Sequence, residues 1–273
     1  MRRVRLDQRE LHEAFTLPSG SIVVAAHPED ETIGLGATMA SSEKLTVLYL
    51  TTVCPGDHVW RAPLIAPADE LCSDPHEELR CAMKLAGVDP QRVRSLRIGE
   101  AAATETLVSL TRSMIDEIQR IAPPVVITHA YEGGHPDHDA VAFIVHAAAA
   151  MLEREGNRVP VVAEMTSWHA RDGELVTYEF LPSRMPVYTR VLTASEKELK
   201  RAMIECYVTR REVLAAFPLQ VERVRLAPAY AFTEAPHTGT LWYELRGWMQ
   251  AAEWREHALR ALLELGFEKD ARL

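Results

Sequence analysis

Short apolar runs alternate with longer amphipathic stretches through the first two-thirds of the chain. Ser21 to Ala26 (SIVVAA), Leu45 to Val53, Val93 to Ile98 and Pro124 to Thr128 are brief and rich in β-branched residues, which predicts strands buried on both faces. Within Thr104 to Ile121, the residues Leu107, Leu110, Met114, Ile118 and Ile121 fall at three- and four-residue steps, the period of one helical face laid on a sheet. Ile33 to Ser42, Glu77 to Ala86 and Asp139 to Glu153 predict further helices. Strand-helix alternation of this kind predicts an α/β fold with a mostly parallel sheet and helices on both faces. Such sheets bind ligands beyond the C-terminal ends of their strands, which directs attention to the loops after Ala26 and Thr128.

Beyond Val159 to Glu164 the pattern changes. Leu175 to Leu181 and Val187 to Leu192 read as strands, and a long helix is expected from Ser195, where Ser195 and Glu198 have capping-box spacing and Leu199, Met203, Cys206, Val213 and Phe217 supply an apolar stripe. Phe217 to Arg246 is rich in proline and aromatics without clear periodicity, and Gln250 to Leu265 closes as a helix. The expectation is one domain over residues 1–273, with a core at 20–165 and a C-terminal elaboration at 166–273.

A chain of 273 residues that is 47% hydrophobic can bury the core of an enzyme. Its formal charge of −9, with both signs interspersed, excludes the basic footprint of a nucleic-acid binder. No apolar run approaches a membrane span or follows the charged N-terminus as a leader would, so a cytoplasmic protein without a membrane partner is expected. Cys54, Cys72, Cys81 and Cys206 form no C-x-x-C pair and read as ordinary reduced thiols. The composition leaves room for a homo-oligomer.

The first strand runs into His27-Pro28-Glu29-Asp30-Glu31-Thr32, and the fourth into His129-Ala130-Tyr131-Glu132-Gly133-Gly134-His135-Pro136-Asp137-His138-Asp139. Acidic residues at a helix start are explained by capping, and Asp137 would serve as such a cap, but capping does not explain two His-Pro-acidic loops at two strand ends of one sheet. Together they offer imidazole and carboxylate ligands without thiolates, a donor set suited to a catalytic zinc.

The pair AHPEDE and GGHPDHDA resembles the two motifs, A-H-P-D-D-E and H-P-D-H, of the LmbE-like or PIG-L family of zinc-dependent deacetylases, over about Ser21 to Glu164. The resemblance implies a Rossmann-like α/β fold, a Zn2+ ion (with Fe2+, Co2+ or Ni2+ as substitutes) and hydrolysis of an N-acetyl amide on an amino sugar or sugar conjugate. By position it implies His27, Asp30 and His138 as metal ligands, Glu29 as general base, and His135 as the group that stabilises or protonates the tetrahedral centre. Asp137 is expected to orient His135 and keep it charged, and Glu31 to stand behind the ligands.

The chain also departs from the family. Glu29 replaces the usual aspartate, and Pro75 stands where an arginine commonly precedes the glutamate at Glu78. Arg61 and Arg80 become the candidates for anchoring substrate. Cys206-Tyr207-Val208-Thr209-Arg210 occupies the place of a usual histidine followed by Ser-Gln. His237, in a turn before Trp242 and Tyr243, is a further substrate-binding candidate; His129 reads either as a strand-end histidine satisfied locally or as a partner behind the ligands, and His146 as structural. The alternatives are an amidase for a non-sugar or thiol-conjugate amide, and a non-catalytic sugar-binding module of the same fold. A dinucleotide site is excluded because HPEDE, not G-x-G-x-x-G, follows the first strand.

Overall fold

The computed structural model describes residues 17–51, 75–98 and 103–273. Its main sheet contains β1 (Ile22–Ala25), β2 (Thr46–Thr51), β3 (Val93–Ile98), β4 (Val125–His129) and β5 (Val161–Met165), all parallel to their neighbours within this group. The helices between them are α1 (Asp30–Ala40), α2 (Pro75–Leu85), α3 (Leu107–Ile121) and α4 (Pro136–Arg154). A hairpin of β6 (Trp168–Arg171) and β7 (Glu174–Thr177) forms a separate small sheet. The chain continues through β8 (Val187–Val191), α5 (Ala194–Glu205), α6 (Arg211–Leu214), β9 (Val221–Leu226), α7 (Trp242–Leu245) and α8 (Ala251–Glu264).

The strand order is β3-β2-β1-β4-β5-β9-β8, with β9 antiparallel to both β5 and β8. The α/β expectation is thus met by a mostly parallel sheet. Residues alternate between its faces: Ile22 and Val24 pack with the buried sides of α3, α4 and α8, while Val23 and Ala25 pack with those of α1, α2 and α5. The progression from β1 to β3 runs one way and resumes from β4 on the other side of β1. A crevice therefore opens between the C-terminal ends of β1 and β4, where the two His-Pro loops emerge.

Several local expectations need correction. Helix α1 starts at Asp30 and not Ile33, and it breaks at Leu35 (φ −142°, ψ 15°). Gly34 is required beside that break, because a Cβ there would lie 2.6 Å from Met165 Sδ. The polar groups freed by the break are met by distant side chains. Glu222 accepts from the N–H groups of Ala37 (2.8 Å) and Thr38 (2.9 Å) and from the Thr38 hydroxyl (2.6 Å), while the Ile33 carbonyl accepts from Lys200 Nζ (2.6 Å) and Tyr178 OH (2.8 Å). Lys200 and Glu222 also pair with each other at 3.0 Å, both without solvent exposure.

Glu222 stands on β9, within the stretch Phe217 to Arg246 whose sequence shows no clear periodicity. Its charges are buried and paired, Arg225 with Glu164 at 2.8 Å. The expected long helix from Ser195 ends at Glu205, so Val213 and Phe217 lie beyond it, and its capping box is Thr193 with Glu196. The strand expected over Leu175 to Leu181 is the shorter β7. Cys81 and Cys206, read as free thiols, are joined in a disulfide between α2 and the end of α5. A separation of 125 residues leaves no local spacing signal for such a bond. Disulfides persist in oxidising surroundings and are rare where thiols are kept reduced. Cys54 and Cys72 lie outside the described residues. Among those described, no helix is long and apolar enough to cross a membrane.

Removing one member of a buried ion pair strands the other charge, at a cost of about 3–5 kcal/mol. Glu222→Ala should therefore lower the unfolding free energy by about that amount in a urea titration. Glu222→Ala combined with Lys200→Met should cost less than Glu222→Ala alone. An unchanged urea midpoint in Glu222→Ala would show that the break in α1 is held by something else.

Candidate active site

The loop after β1 passes through Glu29, whose backbone takes φ 95° and ψ −30°. A non-glycine residue in that region carries strain of about 1–3 kcal/mol, and such strain clusters at functional sites. Asp30 follows as the first residue of α1, and its Oδ2 is the point of convergence. It accepts from the His27 backbone N–H at 2.9 Å and lies 3.4 Å from His27 Nδ1, 3.3 Å from His129 Nε2 and 3.2 Å from His138 Nε2. Burial opposes ionisation of Asp30, but His138 and His129 outweigh it and hold the carboxyl well below its usual range.

The loop after β4 supplies the other side. His135 is the N-cap of α4, with Pro136 preset at the first helical position, and its Nδ1 accepts from the Asp137 N–H at 3.1 Å. The expected capping by Asp137 is thus performed by His135. Asp139 accepts from the N–H groups of Glu132 and Gly133, each at 3.1 Å, and so fixes the turn. Gly134 cannot be replaced there, since a Cβ would fall 1.9 Å from the Trp168 carbonyl oxygen. One helical turn brings His138 in beside His135, and Ser167, just before β6, contacts His138 Nδ1 at 3.1 Å.

Asp137 differs from expectation. Its carboxylate contacts His27, with Oδ2 3.0 Å from Nε2, and its link to His135 runs through the backbone N–H. His135 is not kept charged either. Burial, followed by the neighbouring His27 and His138, pushes its pKa well below 6.5. Because Nδ1 accepts a hydrogen bond, the proton of the neutral ring sits on Nε2. His138 is likewise lowered, to about 4, chiefly by burial. His27 behaves oppositely: burial disfavours its charge, yet Asp137 and Asp30 prevail and raise it well above its ordinary value.

These side chains fit a metal ion. Ligand atoms of His27, His135 and His138 lie within 4.8 Å of one another, as do those of Asp30, His129 and His138, and all five residues are buried. The expected trio is divided between these groups: His27 falls in the first, Asp30 in the second and His138 in both. Bond lengths of about 2.0–2.2 Å to zinc give tetrahedral ligand separations of about 3.3 Å. The 3.4 Å and 3.2 Å spacings of His27 Nδ1 and His138 Nε2 from Asp30 Oδ2 match that edge. His138 Nε2 and Asp30 Oδ1 are buried without a hydrogen-bond partner, as donor atoms awaiting a cation would be. His129 is the weaker donor, because its Nε2 already accepts from the Ala26 N–H at 3.1 Å.

Around this centre, Glu29 is buried and its pKa is raised to about 8, first by burial and against the pull of Arg210, whose Nε is 3.7 Å from Glu29 Oε1. Glu31 accepts from Thr32 Oγ1 (2.6 Å) and Tyr207 OH (3.0 Å). Trp168 packs edge-on to His138 with ring centres 4.5 Å apart, and Trp248 lies 5.0 Å from the His135 ring. Ser167, Trp168, Tyr207 and Arg210 were not found from the sequence. The end of β5 offered a usable signal for Ser167 and Trp168, since it is the third strand end on the same edge. His237 sits apart, its ring 6.3 Å from that of His169 and its Nδ1 against the Thr238 carbonyl at 2.8 Å. Arg80 pairs with Glu77 and is largely exposed, and Arg61 lies outside the described residues.

The sheet with a His-Asp centre at its switch point defines a class of α/β protein, and comparison shows which known proteins part of the chain is similar to. Residues 22–149 match the model described as PIG-L: GlcNAc-PI de-N-acetylase, the family that the two motifs resemble. The 1D-myo-inositol 2-acetamido-2-deoxy-alpha-D-glucopyranoside deacetylase of Geodermatophilus obscurus is 33% identical over 141 residues, 43% of this chain and 48% of that protein. The chain spans about half the length of the curated relatives it matches. Among solved structures, the A40926 pseudoaglycone deacetylase Dbv21 aligns with a TM-score of 0.52 at 17% identity, covering 76% of this chain and 96% of that one. GalB, the 4-carboxy-2-hydroxymuconate hydratase of Pseudomonas putida KT2440, aligns with a TM-score of 0.50 at 19% identity, covering 78% and 97%. At these identities the structural likeness is one of fold.

A protonated His27 must lose its proton before its ring can bind a metal, so zinc uptake should weaken as pH falls through the raised His27 pKa. Calorimetric titration in buffers of different ionisation enthalpy should register release of about one proton per ion near neutral pH. Release of none would exclude His27 as a ligand. His138→Ala should remove most of the zinc affinity, since three protein ligands leave no spare.

Proposed function

We propose that this protein is a zinc-dependent hydrolase that removes the N-acetyl group from a glucosamine-type sugar conjugate. The observation that carries the reading is the convergence of His27 and His138 on the Asp30 carboxylate, whose second oxygen has no partner, beside a strained, buried Glu29. The activities of the PIG-L family and of the similar inositol-glycoside deacetylases support the substrate class. The hydratase neighbour is a reminder that this fold alone does not specify amide chemistry.

A divalent ion held by His27, Asp30 and His138 would polarise the acetamide carbonyl and lower the pKa of the attacking water. The remaining chemistry belongs to the chain. Glu29 takes the water's proton as the C–O bond forms, then gives it to the sugar nitrogen as the C–N bond breaks, so acetate and a free amine leave. His135, neutral with its proton on Nε2, donates a hydrogen bond to the carbonyl oxygen as negative charge develops there. Asp137 orients His27 through its 3.0 Å contact and makes that imidazole a stronger donor. Trp168 and Trp248 flank the two histidines and offer apolar faces to a sugar ring. Retention of every donor disfavours the non-catalytic module.

Metal-replete protein should release amine from 1D-myo-inositol 2-acetamido-2-deoxy-α-D-glucopyranoside or N-acetylglucosamine, and a chelator should abolish this. Cleavage of a non-sugar amide alone would overturn the sugar assignment. Glu29→Gln should keep its zinc and lose about 10²–10⁴-fold in turnover. Because Glu29 must be ionised, kcat/KM should rise with pH toward an upper bound near the pKa of about 8, and a bound cation moves that limb lower. His135→Ala should lower kcat more than it raises KM, the signature of a contact that strengthens in the transition state.

A further inference from the structure

The two departures from the family pattern meet in space. Glu78, on a helix without the usual arginine, accepts from both the N–H (3.0 Å) and the hydroxyl (2.6 Å) of Thr209. Tyr207 reaches inward to Glu31 at 3.0 Å, and Cys206 is tied to α2 by the disulfide with Cys81. The short 3-10 turn Val208–Arg210 is thus fastened on both sides. It is closed further by the Arg210 N–H donating to the Tyr207 carbonyl at 3.2 Å. Such fastening gives the Arg210 side chain a defined origin, and its Nε lies 3.7 Å from Glu29 Oε1. Glu29 belongs to a strained loop and carries one more methylene than the aspartate usual at its position, so its carboxylate needs an external partner to hold one direction.

We propose that Arg210 is a positioning residue that aims the carboxylate of Glu29 into the active site, a role that rests on Glu29 being the general base. The arginine absent from α2 is replaced in effect by one from the α5–α6 connection, and its object is the base. Partly exposed ion pairs add little to stability, whereas misplacing a reacting group by an ångström costs a large factor in rate. The consequence is a residue that affects turnover and leaves folding alone.

The test is a double-mutant cycle on N-acetylglucosamine and 1D-myo-inositol 2-acetamido-2-deoxy-α-D-glucopyranoside, with crystal structures of the zinc-loaded variants. Arg210→Gln should lower kcat roughly tenfold to a hundredfold with KM nearly unchanged, and Arg210→Lys should recover part of it. In the Glu29→Gln background, Arg210→Gln should cause no further loss, because its object is already gone. The Tm should not move. An additive loss, or a raised KM with intact kcat, would overturn the proposal, the latter making Arg210 a substrate contact. Should the wild type turn over neither sugar, the sugar assignment fails by itself and the crystal structures decide this one. Arg210→Gln should show Glu29 in altered or multiple rotamers with His27, Asp30 and His138 unmoved, and a Glu29 side chain that stays in place would overturn it.

Discussion

A carboxylate taken out of water must be met by donors, and this chain meets two of them along a single short helix. Asp30 opens α1 and is surrounded by the rings of His27, His129 and His138. Glu222 enters the same helix half-way along and takes up the N–H groups that the break at Leu35 leaves free. Neither charge is sustainable alone. The first is balanced by histidines from the two His-Pro loops, the second by Lys200 from α5. The position of α1 over the sheet, and with it the direction of Asp30, follows from satisfying both.

This division separates anchoring from chemistry. The parallel core brings the His-Pro loops to one crevice, and any sheet with this strand order would do so. Holding Asp30 and Glu29 within ångströms of His138 is a finer requirement, met by the C-terminal third. Glu222 comes from β9, Tyr207 and Arg210 from the segment after α5, and Trp248 from the connection after α7. The C-terminal region thus builds the site's walls while the motifs supply its donors.

The core was legible because buried parallel strands are short unbroken β-branched runs and α3 keeps a strict apolar period. Both loops of the site were legible because their chemistry is dense: His27, Glu29, Asp30, His135 and His138 lie within two brief motifs. The rest was hidden for physical reasons. β9 lies in a stretch without clear periodicity, its Glu222 and Arg225 charged but paired inside. The Cys81–Cys206 bond joins residues that nothing in the local pattern relates. The family resemblance assigned Asp137 to His135, whereas its carboxylate points across the crevice to a residue 110 positions away.

The raised pKa of His27 has one more consequence. Asp30 and Asp137 flank the His27 ring at 3.4 Å and 3.0 Å and favour its charged form, so a proton there offsets part of the carboxylate charge that a cation would meet. On the proposed reading the protein would then act as an ion exchanger, its donors already gathered around a proton. Loading would be a swap, governed by the ratio of free metal to acidity around the folded molecule. Which divalent ion it took up would be a record of where and when it was filled.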